Sequence, residues 1–286
     1  MGKQKRSENT YQKINTLFKR DANNIVMQYD EFVDPAFTYL RGLLWDATTK
    51  IDGTNIRIEV THSVYEVDCM DDGFSIPRSI EWEIAFKGKT DNANIPKNLV
   101  KYLNETFTED KVLGALGLKK IMKESDWVEK GWIVSKDDPK PDYSKIPKRY
   151  TLYGEGYGAG IQSCGGRYIR NGVSFIGFDV KVDDLYLLRP NMVEIFEKMN
   201  CPTTHYHGQM TIDEALEIVR KGFIDEIAED RTLIAEGLVL SSPIGLRNRR
   251  GERLVVKIKY CDFEKYRKRY GTDDPVEQPV NINYEN

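Results

Sequence analysis

Cysteine and histidine are scarce here, four and three in 286 residues. Cys69, Cys164, Cys201 and Cys261 lie far apart and form no C-x-x-C pair. That excludes a zinc ribbon and a disulfide framework, and leaves free thiols in a reducing compartment. His205 and His207 are spaced as neighbours on one strand face. No cysteine or carboxylate cluster accompanies them, so no metal is expected there. No apolar run approaches the ~20 residues of a membrane span, and the charged start Met1–Arg6 has no apolar stretch behind it. A soluble, cytoplasmic protein without a signal peptide is the expectation. Charge of one sign is also missing: 42 basic against 45 acidic residues leave a net charge of −3. A globally basic nucleic-acid binder is excluded, and any polyanion has to meet a local patch. There is no G-x-x-x-x-G-K-[ST] loop. Gly154, Gly156, Gly158 and Gly160 alternate rather than spelling G-x-G-x-x-G, which removes the P-loop and the dinucleotide fingerprint.

What is present suffices for a sizeable core, in one large domain or two small ones: 40% hydrophobic residues, including 16 Tyr and 11 Phe. The organising stretch is Lys50-Ile51-Asp52-Gly53-Thr54-Asn55. Asp-Gly supplies a tight bend, and glycine tolerates backbone angles that other residues avoid. Behind it, Arg57 and Glu59 alternate with Ile56, Ile58 and Val60, the period-two pattern of a half-buried strand. Lys50 thus ends one segment just before a turn. An amine held there serves as a nucleophile if nearby cations or desolvation lower its pKa.

Upstream, Leu40, Leu43, Leu44 and Trp45 read as core leading into the lysine turn. Downstream, strands are expected at Ile56–Val60, Val64–Asp68 and Glu81–Phe86, the last emptying into a polar loop with Lys87 and Lys89. Helical spacing marks Ile95–Phe107 and Lys111–Met122, with an apolar stripe at Leu99, Val100, Leu103 and Phe107. The stretch Trp127–Lys148 reads as an exposed loop, charged and proline-broken at Lys136–Asp142. Strand Arg149–Tyr153 leads to Glu155 and a flexible glycine loop. Strand Val173–Val182 puts Phe175 and Phe178 on opposite faces. Helices are expected at Met192–Met199 and Thr211–Lys221, the second opened by a capping box of Thr211 and Glu214. A strand Leu233–Leu240 contains Glu236. After the basic hairpin Arg247, Arg249, Arg250, the strand Leu254–Lys259 carries Lys257 and Lys259 on one face, where two ammonium groups call for an anion. Lys265–Tyr270 interleaves basic and aromatic residues, a pattern suited to phosphate and base contacts as well as to a solvated helix face.

Five of these strings, in order, resemble the motifs of the covalent nucleotidyltransferases: RNA ligases, DNA ligases and capping enzymes. Lys50–Asn55 resembles K-x-D-G-x-N, and Tyr153-Gly154-Glu155-Gly156-Tyr157-Gly158 resembles motif III. Ser174–Val180 resembles motif IIIa, Ala235–Val239 motif IV and Val256–Tyr260 motif V. The likeness is strongest to ATP-dependent RNA ligases of the phage and RNA-editing type. It implies an α+β nucleotidyltransferase (ATP-grasp-like adenylation) fold over residues 1–262, two antiparallel sheets flanking a nucleotide cleft, and a short tail at 263–286. It implies ATP and Mg²⁺ as cofactors, RNA ends in a nicked or bridged duplex as partner, and Lys50 as the residue that takes AMP. Thr49 and Asn55 would line the nucleotide site, Lys89 would meet phosphate where the family usually has arginine, and Glu155 would accept a ribose hydroxyl. Phe178 would stack on the base, Glu236 would hold the metal, and Lys257 and Lys259 would neutralise the phosphates. The tail is too short for the barrel that DNA ligases and capping enzymes append. A minimal DNA nick ligase and a catalytically silent RNA-end-binding protein are the alternatives, with a GTP-using capping enzyme behind them.

Overall fold

The computed structural model describes residues 10–23, 26, 28–65, 79–132 and 145–270. Its first half runs β1 (Asn15–Thr16), α1 (Pro35–Tyr39), β2 (Trp45–Thr49), β3 (Thr54–Tyr65), β4 (Ser79–Gly88), α2 (Lys97–Thr106), α3 (Glu109–Ala115), β5 (Ile121–Lys123) and α4 (Glu124–Glu129). The second half runs β6 (Arg149–Gly158), α5 (Gly165–Tyr168), β7 (Val173–Val182), β8 (Leu185–Tyr186), α6 (Arg189–Lys198), β9 (Tyr206–Met210), α7 (Ile212–Lys221), β10 (Gly237–Ser241), β11 (Val255–Lys259) and α8 (Glu264–Tyr270). A 3-10 turn, Tyr260–Phe263, joins the last two. This is a mixed α+β chain in two compact units. Among the described residues, one draws on 54–156 and 172–203, and the other on 11–53, 157–171 and 204–270.

The unit that begins at Thr54 is built on a six-stranded sheet in the order β5-β4-β3-β6-β7-β8. Its central strand departs from the expected half-buried pattern. Arg57 and Glu59 are as buried as Ile56, Ile58 and Val60, because they satisfy each other inside the sheet. Arg57 Nη1 meets Glu59 Oε1 at 2.7 Å, and Lys87 Nζ meets Glu59 Oε2 at 2.9 Å. Burial of charge is tolerated where partners replace water in this way. Two expected strands are one: β3 continues through His62 and Ser63 to Tyr65 because it pairs with β4 along its whole length from Ile56. Residues 66–68 of the expected second strand lie outside the described residues. The glycines of β6 are packing residues within a strand that runs to Gly158, not a flexible loop. A Cβ on Gly154 would lie 2.1 Å from the Phe175 ring, and one on Gly156 would lie 2.4 Å from Leu99 of α2. Met122 ends the expected helix Lys111–Met122 as part of β5 instead, paired with Ile80. Trp127, expected in a loop, is a fully buried residue of α4; residues 136–142 lie outside the described residues.

The other unit holds a five-stranded sheet in the order β1-β11-β10-β2-β9, with β1 parallel to β11 and the other neighbours antiparallel. Helix α7 covers one face because Ile212, Ala215, Leu216 and Val219 fall on one helical stripe. They enter the same core as Trp45 and Ala47 of β2, Leu238 and Leu240 of β10, and Val256 and Ile258 of β11. The expected capping box is formed: Thr211 Oγ1 accepts from the Glu214 amide, and Glu214 accepts from the Thr211 amide. Leu43 and Leu44 are not core; they stand 48% and 53% exposed in the turn after α1. The strand expected from Leu233 begins only at Gly237, so Glu236 sits just ahead of β10.

Candidate active site

Strand parity decides what the five-stranded sheet presents. Along β11, Val256 and Ile258 are buried in the core, so Lys257 and Lys259 occupy the opposite, partly exposed face. Cross-strand register puts Val239 beside Lys257 and Gly237 beside Lys259, with Thr48 next to Val239 on the other side. Lys50 follows β2 immediately, and its amide donates to the Gly237 carbonyl at 2.9 Å.

Gly237 is what lets these elements close up. Its φ is +147°, and a Cβ there would stand 1.9 Å from the Ile258 carbonyl oxygen. Only glycine permits that approach. The approach delivers Glu236 between two lysines: Oε2 bonds Lys50 Nζ, and Oε1 meets Lys259 Nζ at 2.6 Å. The Glu236 backbone is held too, its carbonyl accepting from the Tyr260 amide at 2.9 Å. Burial works to raise the Glu236 carboxyl, but the two ammonium groups outweigh it and hold it below its ordinary value. Burial likewise opposes the Lys259 charge, and the bond to Glu236 carries its pKa above the ordinary value. Four residues expected together from sequence (Lys50, Glu236, Lys257 and Lys259) are therefore neighbours at one end of this sheet.

Thr49 faces the other way. It is 3% exposed, pairs with core residue Leu238, and its hydroxyl lies 2.8 Å from His207 Nε2. The His207 ring packs on His205 and Phe223, and burial lowers its pKa. His205 pairs with Glu226 at 3.0 Å.

The lysine turn has further holders that no motif marks. Cys164 Sγ donates to Asp52 Oδ2 at 2.8 Å, Gln162 Nε2 to the Gly53 carbonyl at 3.0 Å, and the Asp52 amide to Tyr168 Oη at 3.3 Å. These residues are separated from Lys50 by more than a hundred positions, so local pattern carries no sign of them.

In the six-stranded sheet, Asn55 and Glu155 are direct cross-strand partners on β3 and β6. The Asn55 Oδ1 atom is buried and has no hydrogen-bond partner among the described residues, the condition of an acceptor suited to an external donor. Lys89 is exposed, one residue beyond the Ile56–Gly88 pair, and Phe178 of β7 is half-buried beside the buried Asp179. Arg57 ties down the Lys89 loop, donating to the Gly88 carbonyl and to Asp91 Oδ1, each at 2.8 Å.

An amine against a carboxylate, with further ammonium groups on the same sheet face, is a donor set for handling phosphate. Among the described residues, no group of three or more His, Cys, Asp or Glu side chains gathers into a metal cluster. A single carboxylate fits an ion of the Mg²⁺ kind, which keeps several waters and takes its remaining ligands from substrate phosphates.

The RNA ligase family model matches residues 44–259, and the chain belongs to that family. In fold it is similar to solved structures of a Naegleria gruberi RNA ligase. An apo mutant shares 13% identity at a TM-score of 0.50, over 88% of this chain and 59% of that one. A mutant with AMP and Mn shares 14% at 0.50, over 87% and 58%. The chain thus spans less than two thirds of the ligase it matches. A comparison with curated proteins found no match.

Proposed function

We propose that this chain is an ATP-dependent RNA ligase working through a covalent lysine–AMP. The observation that carries the reading is the Lys50–Glu236–Lys259 arrangement beside Lys257, in a chain of the RNA ligase family. Residues 1–262 form the nucleotidyltransferase fold on this reading, and 263–286 its tail.

In the first step Lys50 Nζ attacks the α-phosphorus of ATP. The N–P bond forms, and the bond to pyrophosphate breaks. Lys50 first has to leave Glu236 and lose a proton to water, because an ammonium nitrogen has no lone pair for the attack. Lys257 and Lys259 offset the negative charge that gathers on the phosphoryl oxygens and the departing pyrophosphate. A divalent cation bound through Glu236, water and phosphate would supply further charge neutralisation at the same oxygens. In the second step a 5′-phosphate oxygen of RNA takes the AMP and releases Lys50. In the third, a 3′-hydroxyl attacks the adenylated end, forms the phosphodiester and expels AMP. Asn55, Lys89, Glu155 and Phe178 take the nucleotide-contact roles that the family resemblance implies.

RNA ends in a nicked or bridged duplex are the substrate proposed, since holding two ends together removes an entropic cost. The hairpin between β10 and β11 is the proposed phosphate grip. Its Arg249 and Arg250 are exposed, and Arg247 bonds the Gly251 carbonyl at the hairpin tip. Two basic residues of α8 are more committed: Arg267 lies 3.5 Å over the Tyr260 ring, and Lys268 bonds Glu264.

The test is incubation with α-labelled ATP or GTP followed by denaturing electrophoresis. Label from ATP is expected on the wild type and not on Lys50→Arg, because guanidinium stays protonated. Undiminished label on the variant would refute the reading. Four nicked duplexes, differing only in ribose or deoxyribose on either side of the nick, then separate RNA from DNA ligation. Equal sealing of the all-DNA nick would favour the DNA-ligase alternative.

A further inference from the structure

The backbone that carries Lys50 leaves its sheet at Thr49, and beyond the Lys50–Gly237 bond its next polar groups are held by side chains. Tyr168 is the deepest of these holders, 1% exposed, as is Asp225 behind it. The Tyr168 hydroxyl donates to Asp225 Oδ2 at 3.0 Å and accepts the Asp52 amide at 3.3 Å. Asp225 is set in turn by its own backbone: its Oδ1 accepts from the Ile227 amide at 3.3 Å, and its amide donates to the Leu233 carbonyl at 2.9 Å. An acceptor-only carboxylate fixes the sense of the chain. The hydroxyl proton goes to Asp225, and the oxygen lone pair is left for Asp52.

The segment bearing Tyr168 is itself docked. The Gly165 position abuts the Gly158 carbonyl so closely that a Cβ would stand 2.1 Å away. The Tyr168 carbonyl accepts from the Glu229 amide at 3.0 Å, and Arg167 Nε meets Asp230 Oδ2 at 2.7 Å. Among the described residues, the stretch from Gln162 to Tyr168 reaches the turn at three points, and the Tyr168 contact is backed by the buried Asp225 carboxyl.

We infer that Tyr168, oriented by Asp225, is a positioning residue that holds the Asp52 backbone and thereby aims Lys50. This rests on the ligase reading for what Lys50 does, but the contact itself is independent of it. Aim matters here because a small misplacement of a reacting atom costs far more rate than it costs binding.

The experiment is Tyr168→Phe, which keeps the ring and removes the hydroxyl. Two readouts are taken alongside thermal unfolding: amide hydrogen exchange at Asp52, and the rate of covalent labelling by ATP. Loss of one hydrogen bond predicts about tenfold faster exchange at Asp52, with the Leu238 amide of β10 unchanged. Labelling at saturating ATP should fall about tenfold with little change in KM, since no substrate contact is lost. Gln162→Ala, an exposed variant that leaves the core intact, should move both readouts the same way by a smaller factor. Unchanged exchange at Asp52 in a folded Tyr168→Phe protein overturns the contact. Faster exchange with an unchanged labelling rate overturns its role in aiming Lys50, and so does a raised KM at unchanged maximal rate. If the wild type takes no label, the ligase reading fails, and the exchange measurement still judges the clamp.

Discussion

Replacing Glu236 with glutamine keeps the shape of the site and removes the one charge shared by its two lysines. The side chains of Lys50, Glu236 and Lys259 are 20%, 18% and 27% exposed, so the cluster is largely but not fully withdrawn from water. Exposed ion pairs contribute ~0–1 kcal/mol, and breaking a buried one costs ~3–5 kcal/mol. A cluster between these limits predicts a loss of about 2 kcal/mol for Glu236→Gln at neutral pH. For a chain of this size that is a fall of roughly 3 °C in Tm. The pH dependence is the sharper test. Glu236 is held below its ordinary 4.5, so its contribution is present above pH 4.5 and is lost as pH falls through its lower folded value. Lys259 is raised above its ordinary 10.5, so its share is present below that value and disappears as pH rises through the higher folded one. Unfolding of wild type and variant from pH 3 to 11 should therefore show a difference that is widest between about 5 and 10 and shrinks at both ends. A difference constant across that range would mean that Glu236 acts through packing, and the charge argument would be wrong.

Lys257→Ala and Lys259→Ala should each slow label transfer from ATP by about a hundredfold or more, and a matching collapse of thermal stability would instead assign them to the sheet. Gly237→Ala should destabilise by roughly 3 kcal/mol or more, since its φ and the Ile258 carbonyl both forbid a Cβ. Gly42→Ala, whose added Cβ meets nothing within 4 Å among the described residues, should stay within about 0.5 kcal/mol in the same unfolding assay. Neutralising Arg249 and Arg250 together should flatten the salt dependence of RNA binding by about one unit of slope per lost phosphate contact. Label on Lys50 should persist in that variant, and an unchanged slope would place the grip elsewhere.

Much of this was legible in the linear chain because the relevant physics is local. Period-two alternation marked Lys257 and Lys259 as neighbours on one strand face, and the capping box at Thr211 and Glu214 announced the start of α7. Where local pattern misled, a tertiary partner was responsible. Arg57 and Glu59 read as the wet side of a strand, yet they neutralise each other and are buried. The alternating glycines read as a loose loop, yet Phe175 and Leu99 occupy the space their side chains would need. Leu43 and Leu44 read as core, but β2 begins only at Trp45, and the turn before it leaves them outside.

By itself, then, the sequence determined the family, the order of the motif strings and the residue types able to handle phosphate, because those depend on residue identity and short spacing. Only the tertiary structure decided that Glu236 stands between Lys50 and Lys259, that Thr49 turns to His207, and that Tyr168 and Asp225 reach the lysine turn. Those contacts join residues 23 to 186 positions apart, and no short-range pattern encodes a meeting that cross-strand register and the missing Cβ of Gly237 bring about.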